Sequence, residues 1–210
     1  MIARRTRTPS KPEAPGLTRE RVCKAALELV DEEGLEALSM RRLGARLGVE
    51  AMSLYRHVRD KADLLDALHA AVLGDIDPSF FGEGDWRGLL RGSAQGLRAS
   101  LLRHPNVIPL LATRPVSAPE VMAPVELVWG ALEREGFTPE DARKAVIVVG
   151  VFTLGHVLGE ANGEPAPRLG MPNQPGASEF EFGLGVILDG LGERRIGARK
   201  APERRAKKRA

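Results

Sequence analysis

Residues 39–61 read SMRRLGARLGVEAMSLYRHVRDK, and this stretch decides the fold of the N-terminal part of the chain. Its first half carries apolar residues at helical spacing on one side, which are Met40, Leu43 and Leu47. Ser39 precedes them as an N-cap, and Gly48 follows as the residue type that adopts a left-handed turn at the least cost. A second short helix starts at Glu50 and runs to Arg56. The pattern predicts two helices held at a steep angle by a tight turn.

The second helix has a sparse apolar face, because only Leu54 and, as a second candidate, Met52 are suited to packing. Its outward residues are small or polar: Ala51, Ser53, Tyr55, Arg56 and His57. A major groove admits one helix, and hydroxyl, guanidinium and imidazole groups suit phosphates and base edges there. Lys61, in the first turn of a helix capped by Asp60, is placed for a backbone phosphate. We interpret the stretch as a helix-turn-helix that binds DNA. The alternative is a solvated helix face with Tyr55 at the edge of a core.

Residues 18–72 resemble the N-terminal domain of the tetracycline-repressor (TetR) family. The strings AALELVDEEGLEALSMRRLGARLGV and LYRHVRDKADLLDAL carry the resemblance. The family implies an all-α protein in which a three-helix helix-turn-helix domain precedes a larger helical domain for ligand binding and dimerisation. It also implies DNA-contacting positions at Arg41, Ala51, Met52, Ser53, Tyr55, His57 and Lys61, to which the chemistry of the second helix adds Arg56.

Length and composition set the outer limits. The 210 residues suffice for one helical core with a small appended domain, and 43% of them are hydrophobic. No apolar run looks long enough to span a bilayer, and the N-terminus lacks the apolar stretch of a secretory signal, so we expect a cytoplasmic protein without a membrane partner. The single cysteine, Cys23, excludes an internal disulfide and lies among apolar helix positions, which favours a buried thiol over a redox switch.

The net charge of +3 hides an uneven distribution. Residues 194–210 carry nine basic side chains and one acidic one, and residues 1–16 carry four and one. Residues 17–193 are therefore acidic, with 18 basic and 26 acidic side chains. Any positive field on the folded part must come from one local group, which is Arg41, Arg42, Arg46, Arg56, Arg59 and Lys61.

Four regions follow from these patterns. We expect a flexible basic arm at 1–16, a helix-turn-helix domain at 17–63, a helical regulatory and dimerisation domain at 64–193, and a disordered basic tail at 194–210. The arm is a candidate to contact phosphates or the minor groove. The tail either adds salt-sensitive attraction to DNA or only aids solubility.

The predicted helices of the larger domain run over 61–76, 86–103, 119–134, 139–160 and 179–193, with a Gly- and Pro-rich loop at 162–178. Asp85 and Thr138 are N-caps. The helix at 139–160 is apolar on almost all sides, so it must be covered on almost all sides. Pairing the last two helices with their copies gives a four-helix bundle and a twofold dimer whose recognition helices lie about 34–36 Å apart. The alternative is that both helices are buried within a monomer.

Residues 86–193 are also similar to the C-terminal domain of the family's tetracycline repressors, through Thr113-Arg114-Pro115, Gly136-Phe137, FTLG at 152–155 and FGL at 182–184. By that resemblance, Leu110 stands where a metal-binding histidine is expected, and Gly159 where a carboxylate holds metal-bound water. Neither offers the oxygen or imidazole ligand that a hard divalent ion takes. We therefore expect no metal and no cofactor. Glu160, one residue along, is the alternative ligand.

An apolar cavity for a small molecule is the remaining expectation for the larger domain. Its predicted walls are Trp86, Ser93, Leu97, Leu110, Thr113, Val125, Trp129, Phe152 and His156. For each residue the alternative is ordinary core packing.

The function that we expect is that of a ligand-responsive transcriptional regulator, a repressor that binds palindromic operator DNA as a homodimer and is released by a mostly apolar effector. The alternative is an architectural protein that binds DNA without regard to sequence through its basic tail. The four histidines fall in different elements without ligand or nucleophile motifs, so we expect no enzyme. The sequence leaves the sign of control open.

Overall fold

The structure, a computed structural model, describes residues 16–77, 79, 85–114, 119–161 and 176–207. Within these ranges the backbone forms helices and no β-strand, so the predicted all-α fold is confirmed. The α-helices are α1 (Arg19–Glu33), α2 (Met40–Leu47), α3 (Ala51–Leu54), α4 (Lys61–Gly74), α5 (Trp86–Arg103), α6 (Ile108–Thr113), α7 (Pro119–Arg134), α8 (Pro139–Ala161) and α9 (Ala177–Lys207). Short 3₁₀ turns occupy Leu35–Ala37 and Pro105–Val107.

Side-chain N-caps fix where several helices begin. Ser39 accepts the Arg42 N–H ahead of α2, and Asp60 accepts the Asp63 N–H at 2.8 Å ahead of α4. The other two predicted caps, Asp85 before α5 and Thr138 before α8, are made in the same way. Each cap supplies an acceptor for a backbone N–H that has no partner within its helix. The four predicted caps are confirmed.

One buried cluster joins the N-terminal helices to the larger domain. It contains side chains of α1, α2, α3 and α4 together with Leu101 of α5, Ile108 and Leu110 of α6, and Val157 of α8. The predicted boundary between residues 63 and 64 falls in the first turn of α4, whose Leu64 lies in this cluster. The N-terminal helices therefore share their core with the helices that follow.

A second cluster fills the far end of the molecule. It packs α5 against α7, α8 and α9 through apolar side chains that include Trp86, Leu90, Leu132, Val149 and Phe180. Trp86 meets Phe137 edge to face, with ring centroids 5.0 Å apart. The α8 helix crosses both clusters, with Val149 in the second and Val157 in the first.

Among the residues that the structure describes, the apolar α8 helix is covered on only one side. Its inner face buries Ala142, Ala145, Val149, Thr153 and Val157. On the opposite side α8 and α9 expose large apolar side chains, which we call the outer face: Ile147, Val148, Val151, Leu158, Phe182 and Val186. Our expectation that no apolar run is long enough to span a bilayer is wrong for α8, whose 23 residues meet that test by length and composition. Core helices of water-soluble proteins meet it too.

Three other expectations differ from the structure or lie outside it. The helix expected over residues 50–56 is α-helical only over Ala51–Leu54 and continues as a turn, in which the His57 N–H donates to the Leu54 carbonyl. The tail expected to be disordered from residue 194 is helical in its backbone as far as Lys207. Arg, Lys, Ala and Glu favour this helix, whereas Gly197 and Pro202 oppose it. Nearly all of the 1–16 arm and most of the 162–178 loop lie outside the described residues.

Candidate functional site

The turn between α2 and α3 depends on two glycines. Gly48 ends α2 in the left-handed conformation, with φ 68° and ψ 30°, as the sequence predicts. Gly44, which sequence reasoning missed, allows α3 to approach α2. A Cβ built on Gly44 would lie 2.8 Å from the backbone oxygen of Val49 and 3.2 Å from the Ala51 nitrogen. Only a residue without a side chain fits there.

The α3 segment presents its polar and large side chains to solvent. Leu54 is fully buried, whereas Met52 is 74% exposed and Tyr55 is 43% exposed. The interpretation of Met52 as a packing residue is therefore wrong, and its contact with DNA, which the family resemblance implies, stays a prediction. Arg56 is exposed, while Ala51, Ser53 and His57 are half-buried in the same segment.

The expected group of six cations divides into two. Arg42 pairs with Glu33, and Arg46 binds Glu32 with both of its terminal nitrogens at 2.6 Å, so these two arginines fasten α2 to the acidic side of α1. The hydrogen bond from Arg46 also lowers the pKa of Glu32. Arg59 pairs with Asp63 at 3.6 Å. The other three cations of the group, Arg41, Arg56 and Lys61, are exposed and make no ion pair with the described residues. Together with Met52, Ser53, Tyr55 and His57 we call them the α3 surface.

A buried carboxylate holds the end of the α3 segment in place. Asp63 accepts two hydrogen bonds of 2.8 Å from Arg19 of α1 and one of 2.8 Å from the Arg59 N–H. Arg19 also donates to the His57 carbonyl at 3.0 Å. The Arg19 guanidinium, with the Arg59 N–H, holds the pKa of Asp63 well below its usual range against the opposing effect of burial. The turn after α3 is thus tied to both α1 and α4.

A cavity of about 110 Å³ lies between α4, α5, α7 and α8. Its walls are apolar apart from two hydroxyls, on Ser93 and Thr153. Both hydroxyls donate within their own helices, Ser93 to Leu89 O at 2.7 Å and Thr153 to Val149 O at 2.8 Å. No charged side chain is among the described residues of the lining: Leu73, Ile76, Leu90, Ser93, Ala94, Leu97, Val125, Val128, Val146, Val149, Gly150 and Thr153.

Three of the nine predicted ligand-contacting residues line this cavity, namely Ser93, Leu97 and Val125. The other six lie elsewhere. Trp86 is buried against Phe137, and Leu110 packs in the cluster shared with α1. Thr113 is exposed at the end of α6, and its hydroxyl donates to the Pro109 carbonyl one helical turn earlier. Trp129 is half-buried next to the lining residue Val128, and its indole nitrogen has no hydrogen-bond partner in the structure.

The remaining two predicted contacts, Phe152 and His156, belong to an aromatic group with Phe180. The rings of Phe152 and Phe180 stack with centroids 5.5 Å apart, and His156 Nε2 donates to Gly176 O at 3.1 Å. Glu160, the alternative metal ligand, binds Arg98 with both of its oxygens and does not line the cavity. An arginine partner leaves this carboxylate poorly placed to hold a cation.

Sequence reasoning missed the contribution of α4 and of the middle of α8 to the cavity. Leu73 comes from the last turn of α4, Ile76 from just beyond its end, and Gly150 from the VVGVF string of α8. A Cβ built on Gly150 meets nothing within 4 Å, so this glycine leaves space at the cavity wall. A glycine within a long apolar helix is the sequence signal that was available.

Two family models match the chain. The model described as bacterial regulatory proteins of the tetR family matches residues 22–68, and the model described as the tetracyclin repressor-like C-terminal domain matches residues 80–179. The first covers α2 and α3 with most of α1 and α4. The second covers α5 to α8, which provide most of the cavity.

Individual proteins agree with the models. The HTH-type transcriptional repressor DrrR1 of Streptomyces coeruleorubidus is 34% identical over 84% of this chain, and the match spans 64% of that repressor's length. The class A tetracycline repressor protein from transposon 1721 of Escherichia coli is 35% identical, with 83% of this chain and 90% of that protein covered.

The fold is similar to that of solved structures. A crystal structure of a TetR variant from Acinetobacter baumannii AYE, in complex with minocycline, superposes with a TM-score of 0.73 and 31% identity. The superposition covers 86% of this chain and 99% of that one. On the strength of both domains and of these relatives, the chain belongs to the TetR family of bacterial regulatory proteins.

Proposed function

We propose that this protein is a transcriptional repressor that binds a palindromic operator as a homodimer and releases it when a small apolar effector enters the cavity. The observation that carries the proposal is the α3 surface, where polar groups and unpaired cations lie exposed on a segment held by the Arg19–Asp63 pair. The relatives to which the chain is similar are repressors, which supports repression rather than activation.

The α3 segment is the part that enters the major groove. Its half-buried Ala51 and Ser53 leave room for close approach to base edges, and Tyr55 and Arg56 project from the same segment. Arg41 and Lys61 begin the helices on either side, where side chains contact phosphates and fix the position of α3 without reading sequence.

The outer face supports the homodimer. Six large apolar side chains of α8 and α9 stand exposed on one side of the chain, and an apolar patch of this kind marks an interaction site. A second copy of the same face covers it, because a twofold interface pairs one surface with itself. The twofold then sets the two α3 segments about one turn of B-DNA apart.

The cavity supports a compact effector with little polarity. Its 110 Å³ are below the roughly 300–1,000 Å³ of pockets that hold drug-sized ligands. Both hydroxyls in its walls already donate to backbone carbonyls, so they offer lone pairs to a ligand but no free proton. We expect a neutral molecule, bound without a metal ion, and a larger ligand only after the cavity expands.

Selection from a pool of random double-stranded DNA tests the proposal. We expect the full-length chain to enrich an inverted repeat and to bind it as two chains per site, measured by fluorescence anisotropy and by light scattering of the complex. Arg56→Ala is expected to lower the affinity for the selected site by about tenfold, because one base contact is worth roughly 1–3 kcal/mol. The affinity for non-specific DNA should stay nearly unchanged. Enrichment of no sequence would contradict the proposal.

An architectural DNA protein that acts through its tail has no support among the relatives, which are repressors. Deletion of residues 194–210 separates the two functions. A repressor loses only a salt-dependent increment of affinity, whereas an architectural protein loses nearly all of it. The relatives likewise support a regulator that is not an enzyme and that acts in the cytoplasm, where its operator lies.

A further inference from the structure

Two groups of polar contacts link the N-terminal helices to the larger domain. Arg114 binds Asp66 and the Ala62 carbonyl in the first half of α4. The other group lies at the end of α4 and is called the joint: Asp31, Asp75, Arg103, His104 and Asn106. His104 Nδ1 donates to Asp31 Oδ2 of α1 at 2.8 Å, and Asn106 Nδ2 donates to the Asp31 carbonyl at 2.9 Å. His104 Nε2 lies 3.7 Å from Asp75 Oδ2, just beyond the end of α4. One imidazole therefore stands between a carboxylate of α1 and a carboxylate at the end of α4.

The end of α4 also forms part of the cavity wall. Leu73 and Ile76 line the cavity, and Asp75 stands between them in the sequence. A molecule that presses on these two side chains presses on the short backbone segment that carries the Asp75 carboxylate. The cavity and the joint are thus two sides of the same short segment.

The α5 helix is fastened to that segment as well. Ser100 Oγ, fully buried, donates to the Val72 carbonyl at 2.6 Å, and Arg103 donates to the Asp75 carbonyl at 2.8 Å and pairs with its carboxylate. Beyond Arg103 the chain reaches His104 and so contacts α1. The end of α4 is therefore linked to Asp31 by His104, which contacts both carboxylates, and by Arg103 at the end of α5.

The joint is not fully satisfied in the state that we observe. Asp31 Oδ1 is buried and has no hydrogen-bond partner in the structure, and such an oxygen costs free energy. The same carboxylate keeps its other oxygen on His104.

We propose that the joint couples the cavity to the α3 surface, with His104 as the positioning residue that carries a displacement of Asp75 to Asp31 and hence to α1. The inference rests on the proposed function, because it specifies how the effector site of a repressor controls operator binding. Its test uses no effector. Gly150→Leu fills the cavity from an open wall position, and Gly130→Leu makes the same change at an α7 glycine that has open space and lies outside the lining.

The experiment is a double-mutant cycle on the affinity for the selected palindrome. We expect Gly150→Leu to change that affinity at least fivefold, the lower end of typical allosteric coupling, and Gly130→Leu by less than twofold. In a chain that also carries His104→Ala, the effect of Gly150→Leu falls below about twofold. Asp75 is exposed, so Asp75→Ala should not prevent folding. In a chain that carries Asp75→Ala, the effect of Gly150→Leu on affinity also falls below about twofold. Arg91→Ala breaks another ion pair of α5, with Glu181 of α9, and leaves the effect of Gly150→Leu intact.

The outcomes are distinct. If the effects of Gly150→Leu and His104→Ala multiply independently, or if Gly150→Leu alone leaves the affinity unchanged, the joint does not couple the two sites. Thermal unfolding of each variant separates lost folding from lost coupling, and the Asp75→Ala cycle decides the matter if His104→Ala does not fold. A wild-type chain that selects no palindrome contradicts the proposed function itself, and the inference with it.

Discussion

The N-terminal and C-terminal parts of this molecule keep their functional surfaces in different kinds of residue. Apart from Met52, the α3 surface consists of polar and charged side chains that come from about twenty consecutive residues and are exposed or half-buried. The cavity and the outer face consist of apolar side chains from several helices, and these are the same residue types that fill the two cores. A polar surface built from neighbouring residues can be predicted from a sequence. An apolar surface can be told from a core only when the packing of the helices is known.

The largest expected effect comes from the outer face. Val151 is 66% exposed in the chain, so Val151→Glu costs little in folding but places two carboxylates at a twofold interface. We expect monomers by light scattering and a loss of roughly 100-fold in operator affinity, because two linked binding sites gain about 10²–10⁴ over one. Glu140→Gln, exposed at the start of α8, is the control. A dimeric Val151→Glu variant with intact affinity would assign the outer face another role.

Gly44→Ala tests the N-terminal half at its least tolerant backbone position. The new Cβ lies 2.8 Å from Val49 O, which belongs to the backbone and has little freedom to move. Overpacking of this kind costs about 1–3 kcal/mol in the free energy of unfolding, which urea denaturation measures. Gly130→Ala, in an open helical position, should instead gain stability from its higher helix propensity. Equal free energies of unfolding for Gly44→Ala and Gly130→Ala would contradict this account.

Asp63→Asn tests whether the α3 segment depends on the carboxylate that holds its end. Arg19 depresses the pKa of Asp63, so its contribution to stability is present above the unfolded pKa of about 3.9 and is lost as the pH falls through the folded value. We expect a loss of about 1–2 kcal/mol at pH 7, where Arg19 and the Arg59 N–H lose a charged acceptor. The difference from the wild type should shrink at acidic pH in the same denaturation experiment. A difference that stays constant from pH 7 to pH 3 would contradict this account of Asp63.

Lys61→Ala has the smallest expected effect and refines the description of the α3 surface. Lys61 is exposed at the start of α4 and contacts a phosphate in the proposed complex. The substitution should weaken binding to all DNA sequences by a similar factor and reduce the slope of log affinity against log salt by about 1. The exposed Lys144 of α8 is the matched control position, because Lys144→Ala should leave that slope unchanged.

Most of the fold followed from the sequence because helix starts and ends are chemically marked. Asp85 and Thr138 predicted the starts of α5 and α8, and Gly136 the end of α7. Two helices differ in length: α3 lacks such marks, and α9 runs past Gly197 and Pro202, residue types that usually end a helix. After α3 the His57 carbonyl accepts a hydrogen bond from Arg19 of α1. The sequence around α3 gives no sign of this long-range contact.

The cavity was only partly predictable for a physical reason. Burial of a leucine, valine or tryptophan side chain is favourable both in a core and in a cavity wall. The spacing of apolar residues along a helix therefore does not distinguish a core residue from a cavity residue. Ser93, Leu97 and Val125 line the cavity, while Trp86 and Leu110 fill cores. The division depends on which helices leave space between them. That property belongs to helix packing rather than to any one helix.

One measurement tests the central claim most directly, that two copies of the α3 surface are held by the outer face at a fixed separation on DNA. Operator affinity is measured for the selected palindrome and for versions with five and with ten or eleven base pairs inserted between the half-sites. Five base pairs turn one half-site to the opposite side of the duplex, and a rigid dimer spans neither of the longer separations. The account predicts that every insertion lowers the affinity at least tenfold, to that of a single half-site. Affinity independent of spacing would show that the two surfaces are not held together, and would contradict it.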